Sequence, residues 1–187
     1  MQDRNPSRQL TYAEFTAYAE SHEGRFEYVD GHLVAMGIPS NAHADLIMAL
    51  AVRFHAHLRG QRCRVRSGAR LWTSRNERSP DVLVTCDARD ISGEDVRTRF
   101  PKLIVEVLSP NLGDDFDGKP EDYRLIHTVE EYVIADSRKR RVRVYRRNTD
   151  GLFVLDPEHI GGGQLWLASI KYTLDLDELY TEVGVSR

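Results

Sequence analysis

The 187-residue sequence has little cysteine, no long apolar run and no apolar leader at its N-terminus. Its two cysteines, Cys63 and Cys86, form no C-x-x-C pair, so we expect both to be reduced, small core residues of a cytoplasmic protein. No apolar stretch approaches the ~20 residues that cross a bilayer, and the first residues lack the apolar core of a signal peptide. These absences predict a soluble, intracellular chain.

An excess of basic charge is also missing, since 26 Lys and Arg stand against 29 Asp and Glu, a formal net charge of −3. Any contact surface for nucleic acid must therefore be local. The length suits one domain of ordinary size, and no linker, repeat or low-complexity segment divides the chain. We expect a single domain over 1–187, with a flexible start at 1–10, a core from 25 to 136, and a C-terminal part, 137–187, made of a hairpin, strands and a helical turn.

Two helices are predicted in the first third of the chain. Thr11 followed by Glu14 is a capping-box pattern and predicts a helix over 12–22. Apolar residues at three- and four-residue intervals predict a second helix over 43–58, with Ser40 or Asn41 as its cap.

A hairpin is predicted between these helices. Asp30 and Gly31 separate two short apolar runs, which is the strongest local signal for a hairpin turn. Glu27 would point away from the buried face of the hairpin, either exposed or turned toward a site. The buried face would consist of Phe26, Tyr28 and Leu33.

Two later apolar stretches each contain one acid. Asp81 follows Pro80 at the start of one predicted strand, and Glu106 interrupts the strand over 103–108, which is apolar on both faces and therefore central. An ionised carboxylate buried without a partner costs so much free energy that it either neutralises or acquires a counter-charge. A turn-capping role for Asp81 and an ion pair with arginine for Glu106 are the alternatives to a functional site.

Residues 62–72 alternate between apolar and basic side chains, which predicts one half-buried strand. The more solvent-exposed face of this strand can contact successive phosphates of a nucleic acid. A solvated strand face or protection of a sheet edge explains the pattern equally well. The basic residues of this stripe are Arg62, Arg64, Arg66 and Arg70.

The second half of the chain continues the alternation of elements. Pro120 suits the first position of a short helix, and later apolar runs predict strands at 131–135, 142–145, 152–155 and 165–170, then a helical turn over 174–180. Helices and strands together indicate an α/β (α+β) domain with a mixed, mainly antiparallel central sheet flanked by helices.

Six motifs, in order along residues 25–136, resemble those of the family named "putative restriction endonuclease (Uma-two type)", within the PD-(D/E)XK nuclease superfamily. They are Arg25-Phe-Glu-Tyr-Val-Asp-Gly31, His43, Ser79-Pro-Asp-Val82, Leu103-Ile-Val-Glu-Val-Leu-Ser-Pro110, Asp115 with Lys119 and Tyr123, and Glu131-Tyr-Val-Ile-Ala-Asp136. The resemblance implies a restriction-endonuclease-like core and a divalent-metal-dependent DNA endonuclease that hydrolyses phosphodiester bonds.

The resemblance also implies roles for individual residues. Asp81 and Glu106 would coordinate Mg²⁺ or Mn²⁺, with Glu27 and the carbonyl of Val107 as further ligands. Mg²⁺ fits such a set because it takes oxygen ligands, commonly one or two carboxylates with waters and substrate phosphate. Lys119 would orient the attacking water or stabilise charge in the transition state.

One position departs from the superfamily pattern. The superfamily lysine normally lies two residues after the glutamate, where this chain has Leu108. Family members of the Uma-two type supply a lysine from the following helix, and Asp115, Lys119 and Tyr123 keep its four-residue spacing. Because Pro120 follows it, we expect Lys119 at the helix cap, where a solvated position or a pair with a nearby acid is the alternative.

Asp115, Tyr123 and His43 are accessory candidates, and simple packing at a helix start also explains His43.

Duplex DNA is the expected partner, and a homodimer would suit the cutting of both strands. The alternative is a catalytically decayed nuclease scaffold that acts as a nucleic-acid-binding or homodimeric interaction module. Leu108 favours this alternative, whereas the two intact acids favour the enzyme.

Overall fold

The computed structural model describes residues 9–92, 95–108 and 119–185, and only the backbone of Pro120. Five α-helices and fourteen strands lie in these described ranges. In chain order they are α1 (Tyr12–Ser21), β1 (Phe26–Val29), β2 (His32–Ala35), α2 (Asn41–His57), β3 (Arg64–Ser67), β4 (Arg70–Trp72), β5 (Glu77–Arg78), β6 (Val82–Thr85), α3 (Ala88–Ser92), β7 (Arg97–Thr98), β8 (Pro101–Leu108), α4 (Lys119–Arg124), β9 (Glu131–Asp136), β10 (Arg141–Arg147), β11 (Phe153–Leu155), β12 (His159–Ile160), β13 (Gln164–Leu167), β14 (Tyr172–Asp175) and α5 (Leu176–Glu182).

The main sheet has seven strands in the order β11-β10-β9-β8-β6-β3, with β12 also paired to β10. Its β8–β9 pair is parallel and its other pairs are antiparallel. A five-stranded sheet, β2-β1-β5-β4-β7, and the β13–β14 ribbon complete the described strands. The predicted mixed, mainly antiparallel architecture with flanking helices is confirmed.

The main sheet buries both of its faces. Helices α2 and α5 and the β13–β14 ribbon cover one face, packing residues such as Leu50, Phe54 and Leu179 onto the valines of β6, β8 and β10. Helix α4 packs on the opposite face with Tyr123, above Ile104 and Tyr132. A strand buried on both sides is apolar throughout, and an acid within it is therefore conspicuous.

Local signals place the first elements as expected. Thr11 caps α1 in a capping box with Glu14, and Ser40 caps α2 by accepting a hydrogen bond from the N–H of His43. In the β1–β2 turn, Asp30 and Gly31 have φ values of 48° and 84°, as a type I′ hairpin turn requires.

The single strand predicted over 62–72 is wrong. Gly68 has a φ of 61°, a left-handed conformation that glycine adopts without steric cost, and the chain breaks there into β3 and β4. These two strands belong to different sheets. The strand predicted over 165–170 likewise ends at Leu167, and a short 3₁₀ turn leads into β14, which periodicity did not predict.

The prediction of two reduced cysteines is also wrong, because Cys63 and Cys86 form a disulfide. Strands β3 and β6 are antiparallel, with Arg64 opposite Thr85. The residues that precede and follow this pair therefore face each other across the two strands, and their Cα atoms are 4.1 Å apart. The pairing depends on a strand register that the spacing of the cysteines does not reveal.

Removal of this disulfide should destabilise the domain. The cross-link joins residues separated by 23 positions, so chain-entropy arguments predict that its loss lowers the free energy of unfolding by about 3 kcal/mol. Urea denaturation of wild type and of Cys63→Ala, each with and without reductant, measures the change. Reductant should affect wild type but not the variant. Titration of two free thiols in the untreated, unfolded protein would contradict the prediction.

Two further observations bear on the sequence-based expectations. Within the described ranges, no helix has the length and apolar character that a bilayer-crossing segment requires. Residues 1–8, which include most of the predicted flexible start, and Asp115 lie outside the described residues.

Candidate metal and catalytic site

The two acids predicted from the apolar strands lie on neighbouring strands and on one face of the main sheet. Val82 is paired with Val105 across β6 and β8, and one further step along this antiparallel register sets Asp81 opposite Glu106. Residues directly opposite each other point to the same face of a sheet. Both side chains are buried, with relative exposures of 5% and 4%.

Asp81 is held by two groups. Its Oδ2 accepts a hydrogen bond of 2.8 Å from the backbone N–H of Val107, and its Oδ1 lies 3.3 Å from Nε2 of His43. His43 belongs to the first turn of α2, where Ser40 caps its N–H. The Nδ1 atom of the same ring is buried without a partner among the described residues. The helix start therefore positions an imidazole against the carboxylate.

The carbonyl of Val107, proposed from the sequence as a ligand, lies at the same place. The carbonyl of Leu108 accepts from the N–H of Ser137 just beyond β9, so the backbone groups of Leu108 point toward β9. Backbone groups of successive strand residues alternate in direction. Those of Val107 therefore point toward β6 and Asp81, as its N–H shows directly.

Glu106 is bonded on both carboxylate oxygens. The hydroxyl of Tyr123 donates a 2.5 Å hydrogen bond to Oε1, and Nζ of Lys119 is 3.3 Å from each oxygen. Burial raises the pKa of Glu106 to about 7; the negative charge of Asp81 adds to this rise, and the Lys119 ammonium opposes it. The site thus forces two acids together at an electrostatic cost.

Lys119 reaches the carboxylates although it precedes proline. It is the first residue of α4, and its Nζ also lies 3.3 Å from Oε1 of Glu27. Burial alone would lower the pKa of Lys119, but the charges of Glu106 and Glu27 outweigh it and the pKa is raised. Leu108, at the usual lysine position, is buried in the core beneath α4.

Glu27 is buried rather than exposed on its hairpin, with a relative exposure of 3%. Its Oε1 accepts a 3.0 Å hydrogen bond from the N–H of Ser79, and its Oε2 accepts one of 3.1 Å from Arg78. The expected burial pattern of β1 is therefore wrong in part, because Phe26 and Tyr28 are only half-buried. Strand β1 turns its acid toward the site.

A buried ion network supports Glu27, and sequence reasoning missed it. Arg78 also donates a 2.6 Å hydrogen bond from Nε to Asp122, and Asn76 donates to both oxygens of Asp122 at 2.9 and 3.0 Å. One signal was available: Lys119, Asp122 and Tyr123 have the i, i+3, i+4 spacing of a single helix face. No local signal identifies Arg78.

Comparisons with known proteins identify the family of this chain. The family described as "Putative restriction endonuclease" (Uma2) matches residues 12–170. The chain belongs to this family. It is 30% identical over 179 residues to the uncharacterized protein slr1290 of Synechocystis sp., covering 94% of this chain and 93% of that protein. It is 27% identical over 151 residues to sll1609 of the same organism, covering 78% and 85%.

A solved structure shows the fold of the Uma2 chain independently. The crystal structure of a putative nuclease belonging to DUF820, from Anabaena variabilis, superimposes with a TM-score of 0.72 at 18% sequence identity. The similarity covers 93% of this chain and 99% of the other. At this identity the comparison concerns the fold alone.

The four arginines predicted as a phosphate track do not form one stripe in this Uma2 chain. Arg66 donates 2.7 Å hydrogen bonds to Thr98 and to the carbonyl of Asp90. Arg70 donates from Nε to Glu77 at 2.6 Å. Arg62 and Arg64 are exposed beside β3, at the edge of the main sheet.

The donor atoms of the site suit a hard cation. No three His, Cys, Asp or Glu side chains gather closely enough to hold a metal ion among residues 9–92, 95–108 and 119–185. A structural zinc site needs four such ligands, whereas Mg²⁺ commonly uses one or two carboxylates and keeps several waters. Asp81, Glu106 and the Val107 carbonyl are oxygen donors of this second kind.

Proposed function

We propose that this Uma2 chain is a divalent-metal-dependent DNA endonuclease that hydrolyses phosphodiester bonds. The observation that supports this proposal is the buried pair Asp81, directly before β6, and Glu106 on β8, which the register sets opposite each other, with the Lys119 ammonium 3.3 Å from Glu106. Two carboxylates brought together in a core are destabilising unless a cation offsets their repulsion.

Asp81 and Glu106 would hold Mg²⁺ or Mn²⁺, with the Val107 carbonyl as an additional ligand. Glu27, whose oxygens contact Ser79, Arg78 and Lys119, would assist by holding Lys119 beside the ion. When bound, the ion would polarise the scissile phosphate and lower the pKa of a bound water. Lys119 supplies a fixed positive charge beside the carboxylates, where it can orient water or stabilise charge on phosphoryl oxygens.

The surrounding residues position these groups. His43 and the Val107 N–H hold the two oxygens of Asp81, and Tyr123 holds Glu106. Such contacts reduce the freedom of a ligand before the ion arrives, as outer partners do in known metal sites.

Duplex DNA, approached by two copies of the chain, is part of the same proposal, because one site cuts one strand at a time. Among the arginines predicted to contact DNA, Arg62 and Arg64 remain exposed on the edge of the sheet that bears the acids. They are the members of that set that can meet backbone phosphates.

Metal dependence provides the direct test. Supercoiled plasmid is incubated with the protein in Mg²⁺, Mn²⁺ or EDTA, and nicked and linear products are measured on gels. A single-stranded RNA of similar length is run in parallel. We expect nicking of DNA with either metal, none in EDTA, and recovery when metal is restored in excess. Equal nicking in EDTA would refute the metal dependence.

A decayed scaffold that binds nucleic acid is the second candidate, and one observation favours it. Lys119 lies within 3.3 Å of both Glu106 and Glu27, so its charge already offsets part of the repulsion that a metal would relieve. Retained DNA binding without cleavage under every metal tested would select this candidate over the enzyme.

A further inference from the structure

A second feature of the sheet face that bears the acids is a pocket between α4 and strands β9 to β11. Its volume is about 130 Å³, enough for a single ring system rather than an extended ligand. Its lining includes the partly buried rings of Tyr145 and Phe153, the almost fully buried Tyr132 and two charged residues. The lining residues are Glu121, Arg124, Tyr132, Tyr145 and Phe153.

This pocket and the acids share one surface. Tyr145 is directly opposite Tyr132 on β10 and β9, and Tyr132 is the partner of Ile104 on β8. Ile104 lies two residues before Glu106 and so on the same face. Since neighbouring strands are about 4.8 Å apart, Tyr145 lies roughly 10 Å across the sheet from the strand of Glu106.

A continuous series of rings joins the two places. Tyr123, whose hydroxyl donates to Glu106, packs edge-on against Tyr132 at 5.2 Å between ring centroids. Tyr132 in turn stacks on Tyr145 at 6.0 Å. The last wall, Phe153, is held by the Arg147 guanidinium, 4.5 Å from its ring centroid.

The charged residues stand on the exposed side of α4 and give the pocket hydrogen-bonding capacity. Arg124 supplies donors and Glu121 supplies acceptors, and both side chains are exposed. The carbonyl of Arg124 accepts a 3.0 Å hydrogen bond from Arg147, so the end of α4 is tied to β10. Flat apolar walls with a donor and an acceptor at one rim match a nucleobase, which has a π-face and a polar edge.

We propose that this pocket binds one unpaired nucleobase of the substrate strand, next to the site of cleavage. The inference depends on the proposed nuclease function and refines its substrate. A base inside a duplex is stacked and paired, so it can enter only when extruded or already single-stranded. The preferred substrate is therefore DNA with a single-stranded or locally opened segment near the cut.

Binding of single-stranded DNA tests the pocket apart from cleavage. Fluorescein-labelled octanucleotides are titrated with protein in EDTA, and fluorescence anisotropy gives the Kd. Phe153→Leu and Tyr145→Leu remove an aromatic face, while Tyr145→Phe retains it. We expect each leucine variant to weaken binding at least about fivefold, as the loss of base stacking predicts, and Tyr145→Phe to bind like wild type. Arg124→Gln, on the surface, should weaken binding without affecting folding.

Replacement of the bases by abasic sites separates ring stacking from phosphate attraction. Wild type should bind an abasic octanucleotide more weakly than the normal one. The leucine variants already lack a stacking face, so they should bind the two octanucleotides with similar Kd values. Equal affinity of wild type, Phe153→Leu and Arg124→Gln for the normal octanucleotide would overturn the inference, even if metal-dependent nicking is intact. Conversely, base-dependent binding without nicking under any metal would support base binding in the pocket and refute the proposed nuclease activity.

Discussion

Replacing Glu106 by glutamine is expected to lower the rate of plasmid nicking at least about 10³-fold, and Asp81→Asn is expected to do the same. An amide of the same shape keeps one oxygen but loses the negative charge that binds a divalent cation. Both side chains are buried opposite each other, so each substitution removes a charge directly from the proposed metal site. Initial rates with saturating Mg²⁺ measure the effect.

The matched control is Glu130→Gln, which changes an exposed glutamate just before β9 that pairs with Lys102. This variant should nick at the wild-type rate. Thermal unfolding of all three variants shows whether the fold survives. Folded Asp81→Asn and Glu106→Gln proteins that nick as fast as wild type would exclude these two carboxylates from the reaction.

Replacing Asp122 by leucine is expected to lower the free energy of unfolding by about 3–5 kcal/mol. Asp122 is almost fully buried and accepts hydrogen bonds from Arg78 and Asn76. Its removal leaves the Arg78 guanidinium in the core with Glu27 alone, and a buried charge without its partner is costly. Urea denaturation monitored by circular dichroism measures the loss.

Glu178→Leu is the control for a surface pair, because the Glu178 side chain is 73% exposed and lies 3.4 Å from Arg53. Its unfolding curve should change little. The double variant Arg78→Met/Asp122→Leu should recover part of the stability lost by Asp122→Leu, because the guanidinium that lost its carboxylate is gone and Glu27 keeps its contact with Lys119. If the double variant loses as much free energy of unfolding as Arg78→Met and Asp122→Leu lose together, the two side chains are not coupled.

Local structure was predictable where adjacent residues provide both halves of an interaction. Thr11 and Glu14 cap one another within a single turn, and the Asp30-Gly31 turn needs only its own backbone angles. Helix α2 followed from the spacing of apolar residues. Where the outcome depended on distant strands, prediction failed: Gly68 divides β3 from β4, and the register of β3 against β6 joins Cys63 to Cys86.

The candidate site was predictable in part for a related reason. An acid in an apolar strand is costly wherever the strand lies, so Asp81 and Glu106 were identified without knowledge of their partners. The partners themselves could not be predicted, because they lie far away in the sequence. Arg78 and Asp122 are 44 positions apart in the chain, and Glu27 and Ser79 are 52 apart.

The amino-acid sequence by itself therefore determined helices α1, α2 and α4, the hairpin, the mixed sheet and the two buried acids, because each is set by neighbouring residues or by the cost of burying charge. Helix α3 was not predicted. The tertiary structure decided which groups meet the acids of the site: His43 at Asp81, Tyr123 and Lys119 at Glu106, and Arg78 at Glu27, an acid that the sequence left either exposed or turned toward a site. Such pairings depend on packing between elements far apart in the chain, and no local pattern encodes the distance between them.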